Sequence, residues 1–419
     1  MKNILMIAYH FPPIKGSSGI QRTLKFCQYL LDHDWTAQVL TVNPRAYVQT
    51  GDGQMGEIPK QVTVKRALAF DTARHLSIRG RYVSWMALPD RWVSWTFGGV
   101  LSGLLMIYKH KPKVIFSTYP IATAHLIGLI LHRLTGIPWV ADFRDSMTED
   151  HYPTNARQRA IYRWIEKKTV THCTRAIFTT PSTVAMYAKR YPELPESRWA
   201  LIPNGFDEEN FSDAESSAAY ETALKSKRTD QITLLHSGIL YPSERDPRPF
   251  FKALAELKKS GELEKIKLHI ILRATAHDDL YKDLIKENEI EEIVTLEPGI
   301  SYQDALIEML TADGLLLFQA ANCNHQIPAK AYEYLRAGKP IFALTDKAGD
   351  TAKVLEDAGV PHIIPLDDTA AIVDGLTGFL KGLVDGSTQE FNSTTVRSHS
   401  RNSRTESLAQ LLSNVTRVS

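Results

Sequence analysis

Residues 315–344 read LLLFQAANCNHQIPAKAYEYLRAGKPIFAL. The runs Gly314–Phe318 and Pro340–Leu344 are apolar throughout, which predicts two buried strands of a parallel sheet. Between them lies a helical pattern that can start at Pro328, where a missing amide hydrogen costs nothing, and stop at Gly338. In such a strand–helix–strand unit the helix begins beside the carboxyl end of the first strand, where open α/β sheets bind ligands. Its unpaired amides favour an anion. Lys330, in the first turn, adds a full positive charge, and Glu333, on the same face, can accept hydrogen bonds from hydroxyls. Cation, amide dipole and carboxylate in one turn suit a sugar joined to a phosphate. The same spacing also fits an exposed Lys–Glu pair, worth about 0.2–0.5 kcal/mol, and spacing alone does not choose.

Working outward, strand-like runs alternate with helical patterns along the chain, the signature of parallel α/β layers. The strand candidates are NILMIAY, TAQVLTVN, VTVKRAL, KVIFST, WVADF, AIFTT and ALIPN, then QITLLHSG, KLHIIL, IVTLEP, GLLLF, PIFAL and HIIP. The polar segment Phe206–Asp230 separates the two series and predicts a crossover between domains. The expected division is residues 1–205, residues 206–390, and a tail, 391–419, whose helical pattern from Glu406 to Val415 packs back on the first domain. A length of 419 residues agrees with two domains, and 43% hydrophobic with 23% charged residues places the chain among globular proteins. A net charge of only +2 gives no footprint for nucleic acid. Cys27, Cys173 and Cys323 are too scattered for a disulfide framework or a zinc site and suit a reducing cytoplasm. The start, MKNILMIAYHFPP, is too short an apolar run for a secretory signal. Trp92–Tyr108 is uncharged, but its length and three glycines predict a buried helix rather than a membrane span.

Four further stretches carry chemistry. FPPIKGSSGIQR (Phe11–Arg22) follows the first strand, and Gly16 and Gly19 let backbone approach a ligand, as they would also form an ordinary turn. VADFRDSMTED (Val140–Asp150) sets Asp142 and Asp145 around Arg144 at a strand end. That trio could orient an acceptor hydroxyl, carry a proton, or form a structural Arg–Asp clasp. HSGILYPSERDPRPF (His236–Phe250) brings Arg245 and Arg248 into a loop able to grip a diphosphate, or simply solvated. Arg74–Trp95 interleaves four arginines with Trp85, Trp92 and Trp95, which suits an anionic membrane surface or the wall of an interdomain cleft.

In order along nearly the whole chain, YHFPPIKGSSGIQR, IPWVADFRD, ALIPNGFD, HSGILYPSERDPRPF, PGISYQDALIEMLTADGLLLF and IPAKAYEYLRAGKPI resemble a family-4 glycosyltransferase of the bacterial surface-polysaccharide type. The resemblance implies the α/β GT-B fold, two Rossmann-like domains facing each other across a cleft. It implies that the first domain receives a glycan or lipid-linked acceptor and the second grips a nucleotide-diphosphate sugar. Glu333 matches the glutamate that meets the ribose, and His325 stands where the family has its first glutamate. Ile239 replaces the usual phosphate-gripping arginine, which leaves Arg245 with Lys330 as the cations. On this basis Arg245, Lys330, Asp142 and Asp145 are the expected catalytic residues. Gly16, Gly19, Gly238, Gly299, His325, Glu333, Gly349, Asp350 and Thr351 are the expected nucleotide-sugar contacts.

The implied reaction needs no cofactor beyond the nucleotide-sugar co-substrate. Cations and amide dipoles stabilise the charge developing on the departing diphosphate, so no metal is expected. Retention of anomeric configuration follows from the family. Three rivals remain: a sugar-nucleotide epimerase of the same fold that hydrolyses its donor, a non-catalytic partner subunit that binds nucleotide sugar, and a nicotinamide dehydrogenase. An anionic membrane surface through Arg74–Trp95 is a further expected partner, on the cytoplasmic face of the plasma membrane; nucleic acid is not.

Overall fold

The computed structural model describes residues 1–15, 19–150, 152–264, 266–386 and 390–417. The chain divides into two units, Met1–Pro203 with Arg401–Ser419, and Asn204–Ser400. All thirteen segments expected as strands are strands. In unit 1 they are β1 (Lys2–Ala8), β2 (Trp35–Val42), β3 (Thr63–Ala67), β4 (Val114–Thr118), β5 (Trp139–Arg144), β6 (Arg175–Phe178) and β7 (Trp199–Leu201). They form one sheet in the order β3-β2-β1-β4-β5-β6-β7, parallel at every pairing. In unit 2, β8 (Ile232–Ser237), β9 (Leu268–Arg273), β10 (Val294–Glu297), β11 (Gly314–Gln319), β12 (Ile341–Thr345) and β13 (His362–Ile364) form a second parallel sheet, β10-β9-β8-β11-β12-β13. The central strands β1, β4, β5, β8, β11 and β12 are buried almost end to end, because helices cover both faces. In both sheets the strand order reverses, between β1 and β4 and between β8 and β11. These switch points open a crevice at the carboxyl edge.

The tail is recut. Ser393–Ser398 is a short helix of unit 2, while the final helix spans Arg401–Arg417, five residues earlier than its expected start. Leu408, Ala409, Leu412 and Val415 bury one face of it against Ile20 and Leu24 of the Gly19–Tyr29 helix, inside unit 1. The crossover Phe206–Asp230 is not bare connection. It carries helices Glu208–Glu215 and Ala218–Ser226, and Arg336 pins the first of them through both Glu208 and Glu215.

The Trp92–Tyr108 stretch also departs from expectation. It forms the helix Trp95–His110, which is not buried all round. Its glycines face inward: a Cβ on Gly99 would lie 2.6 Å from Ile127 Cδ1, and one on Gly103 2.5 Å from Leu131 Cδ1. Small residues thus let this helix approach Ala122–Thr135 closely, and large apolar side chains are left outside. No described helix is long and apolar enough to cross a membrane. The Arg74–Trp95 stretch presents only part of its interleaving to solvent. Trp95 is fully buried, Trp92 donates its indole N–H to Ala46 O at 3.1 Å, and Arg91 is paired with buried Asp71 at 2.7 Å. Of the three tryptophans only Trp85 is exposed.

Among the described residues, each unit holds a buried histidine whose titration shapes its acid stability. Burial pushes His125 down to about 3, and burial, with the charges of Arg245 and Lys330 adding to it, pushes His236 down to about 3. Both are neutral when folded but protonate near pH 6.5 in the unfolded chain. Stability is therefore fully present above about pH 6.5 and falls as pH drops, by about 2 kcal/mol per histidine at pH 5. Urea unfolding followed from pH 7 to pH 5 should show this loss in both units; a flat profile would disprove it.

Candidate functional site

In unit 2, β8 runs through His236 and Ser237 into Gly238, whose φ of +138° suits glycine. A Cβ there would lie 2.9 Å from Lys330 Cε, so the loop after β8 lies against the first turn of the Ala329–Ala337 helix. Lys330 Nζ is 3.5 Å from Glu333 Oε2, and Tyr302 donates its hydroxyl to Glu333 Oε1 at 2.9 Å. Glu333 is only 7% exposed, which removes it from the class of solvated surface pairs. Arg245, further along the same loop, donates to Ile239 O at 2.9 Å and lies over the Tyr241 ring. Its Nε is buried without a hydrogen-bond partner in the protein. His236 donates Nδ1–H to Leu316 O at 2.9 Å, leaving Nε2 buried and equally unpartnered. Two cations, a carboxylate and unsatisfied polar atoms thus gather at the β8–β11 switch point. Arg248 stands apart, its guanidinium held by Asp246 at 2.5 Å, and does not complete the grip expected of it.

The loop after β11 is stitched to both neighbours. Ala320 N bonds Glu244 O at 2.7 Å and Asn322 Nδ2 bonds Ser243 O at 2.9 Å. On the other side Asp350 N bonds Asn324 O at 2.8 Å, and Thr351 Oγ1 donates to Gln326 O at 2.9 Å. His325 is half-buried between those last two anchors. Gly349, at the N-cap of the Asp350–Asp357 helix, leaves room for Asn324, since a Cβ would sit 2.8 Å from Asn324 Oδ1. Gly299 is exposed after β10, its Cβ position 3.7 Å from Ala274 Cβ. Ala274 and Ala276, in the loop after β9, hold φ of +57° and +64°, a left-handed conformation that alanine adopts only under constraint. The expected contacts Gly238, His325, Glu333, Gly349, Asp350 and Thr351 therefore belong to one connected edge. Asn324 joins them, as do Tyr302 and His236, which had not been singled out.

In unit 1 Gly16 lies outside the described residues. Gly19 opens the Gly19–Tyr29 helix, and its carbonyl accepts from Arg144 Nη2 at 3.3 Å. Asp142 is fully buried, not presented to an acceptor. Its partner is Arg22, not Arg144: Arg22 Nη2 donates to Oδ1 at 2.9 Å and Nε to Oδ2 at 3.0 Å, with Thr118 adding a third bond at 3.0 Å. Arg22 also donates to the carbonyls of Ile202 and Pro203, closing β4, β5 and the exit from β7 around one ion pair. Asp145 is exposed at the end of β5 beside Arg144. Nearby His10, just past β1, is pushed down to about 4 by burial and by the Arg144 charge, and so is neutral at physiological pH. Asp32 and Asp34 form an Asp-x-Asp pair, but they precede β2, at the amino edge of the sheet. Among the described residues no His, Cys, Asp or Glu cluster could hold a metal ion. A cavity of about 870 Å³ opens at the carboxyl edge of this unit, lined by Trp85, Arg91, Trp92, Asn155, Arg157 and Tyr162 among others.

Residues 19–205 match the family model of the glycosyl transferase 4-like domain. No curated protein matches the chain in sequence. Among solved structures the chain is similar to sucrose-phosphate synthase from Thermosynechococcus elongatus, at 14% identity and a TM-score of 0.71, with both chains covered completely. It is similar also to WaaG, a glycosyltransferase involved in lipopolysaccharide biosynthesis, at 15% identity and 0.62, covering 98% of this chain and 99% of that one. A third similarity is to UDP-GlcNAc 2-epimerase from Neisseria meningitidis bound to UDP-GlcNAc, at 11% and 0.61, covering 99% and 100%. At these identities the likeness establishes the fold.

Proposed function

Since the chain carries a family-4 glycosyltransferase domain within a GT-B fold, we propose that it is a retaining glycosyltransferase that takes its sugar from a nucleotide diphosphate. The observation that carries this is the convergence of Lys330, Arg245 and the Gly238 turn at the β8–β11 switch point. Breaking the glycosyl–phosphate bond builds negative charge on the departing diphosphate and positive charge on the sugar. Lys330, Arg245 and the leading amides of the Ala329–Ala337 helix are fixed where the negative charge grows, so little reorganisation is needed as the bond breaks. Glu333, held by Tyr302, is placed to accept from ribose hydroxyls. His325 offers the donor sugar a hydrogen bond from the anchored loop after β11. No divalent ion takes part in this scheme. One route has the leaving phosphate itself deprotonate the acceptor hydroxyl, with Asp145 orienting it.

The acceptor is a lipid-linked or free oligosaccharide of a surface polysaccharide, taken up by unit 1. Its aromatic- and arginine-lined cavity suits a sugar ring beside an anionic group. The test is a thermal-shift screen of UDP-, GDP-, ADP- and dTDP-sugars followed by product analysis in deuterated water. A ligand at 100 times its Kd stabilises by about 2.7 kcal/mol. Glycoside formation without solvent deuterium in the sugar is the expected outcome. Deuterium in a released sugar would identify an epimerase, and binding with no product across an acceptor panel a non-catalytic subunit.

A further inference from the structure

We propose that the outer face of the Trp95–His110 helix is a docking surface for an anionic lipid bilayer. Phe97, Leu101, Leu105 and Tyr108 are 82%, 65%, 59% and 85% exposed. At roughly 100° per residue they fall within one narrow stripe, opposite the buried Trp95, Gly99, Gly103 and Met106. Single exposed apolar residues are ordinary, but an unbroken stripe along a whole helix marks an interaction surface. Leu68 and Phe70 extend it sideways: both are exposed, and their backbone is held on this helix through Ser94 and the close approach at Gly98.

Charge selects the occupant. From Thr72 to Ala141 the chain has eight lysines and arginines against a single acidic residue, Asp90, which is buried and bonded to Thr123. The whole protein carries only +2, so the chain outside this stretch is net negative, and within it Arg91 is neutralised by Asp71. Lys109, Lys111 and Lys113 are exposed at its C-terminal end. Arg79 and Arg81 are exposed in a tight turn preceding it in the chain, whose Ile78 is 81% exposed, and Trp85, in the short Ser84–Ala87 helix that follows, is 70% exposed. A polar protein partner would not match so much apolar surface, and a second copy of this chain would set like charges against each other. A sheet of anionic headgroups over hydrocarbon satisfies both the stripe and the lysines. This surface extends the lipid-linked-acceptor proposal, but its test needs neither donor nor acceptor.

The experiment is flotation of the full chain with vesicles of phosphatidylcholine containing 30% phosphatidylglycerol, and with phosphatidylcholine alone. Wild type should float with the first and not the second, and binding should weaken several-fold between 0.1 and 0.5 M salt as charges are screened. The quadruple variant Phe97→Ser, Leu101→Ser, Leu105→Ser and Tyr108→Ser should lose at least five-fold in bound fraction with an unchanged melting temperature. The triple variant Lys109→Glu, Lys111→Glu and Lys113→Glu should lose a similar amount. Either variant floating like wild type overturns the proposal. So does a dimer seen by light scattering that the quadruple variant dissociates while wild type does not float. Failure of flotation alongside normal nucleotide-sugar binding would remove the membrane face and leave the transferase proposal standing.

Discussion

Lys330→Ala should lower transfer to acceptor by about 10²–10³-fold while the protein keeps its fold, because it removes one fixed cation from the departing diphosphate. The loss belongs in kcat as well as in donor affinity, since the charge it stabilises is larger in the transition state than in the ground state. Lys330 is 27% exposed in its side chain and, among the described residues, its only ion pair is with Glu333, so truncation removes little packing. Lys330→Arg keeps the charge but not its position and should recover part of the rate. Steady-state kinetics with the donor found by thermal shift decides this. Unchanged kcat in Lys330→Ala would place the diphosphate elsewhere and withdraw the proposed chemistry.

The second large effect is on stability. Asp142→Ala strips the acceptor from Arg22 and leaves a guanidinium that is 3% exposed without its carboxylate. Breaking one side of a buried pair costs about 3–5 kcal/mol. In a unit of this size that lowers the melting temperature by roughly 10 °C. Asp142→Asn, which keeps the shape and an acceptor oxygen, should lose less. A catalytic carboxylate would behave oppositely, with activity abolished in a protein that melts like wild type. Calorimetry on the two variants, with activity measured well below both transitions, separates the roles.

Much of this molecule is legible in its sequence because its parallel strands are buried on both faces and read as uninterrupted apolar runs. Lys330 and Glu333 were legible for a related reason: they follow such a run at the start of a helix marked by Pro328 and Gly338. Asp142 misled because VADFRD places an arginine two residues away. The partner that meets it, Arg22, is 120 positions distant and arrives only when β4 and β5 pack beside β1. The left-handed Ala274 and Ala276 carry no local mark, since their conformations are set by neighbouring loops.

Trp92–Tyr108 shows where the division falls. Its composition dictated a helix, too short and too rich in glycine to span a bilayer. Which side of that helix faced the core was settled by how near Ile127 and Leu131 came to Gly99 and Gly103. A hydrophobicity pattern records which residues avoid water; it does not record which neighbour will cover them. The strand segments and the cationic helix start at Lys330 were thus written in the chain, whereas strand order, the pairing of Arg22 with Asp142 and the outward apolar stripe arose from distances that only packing sets.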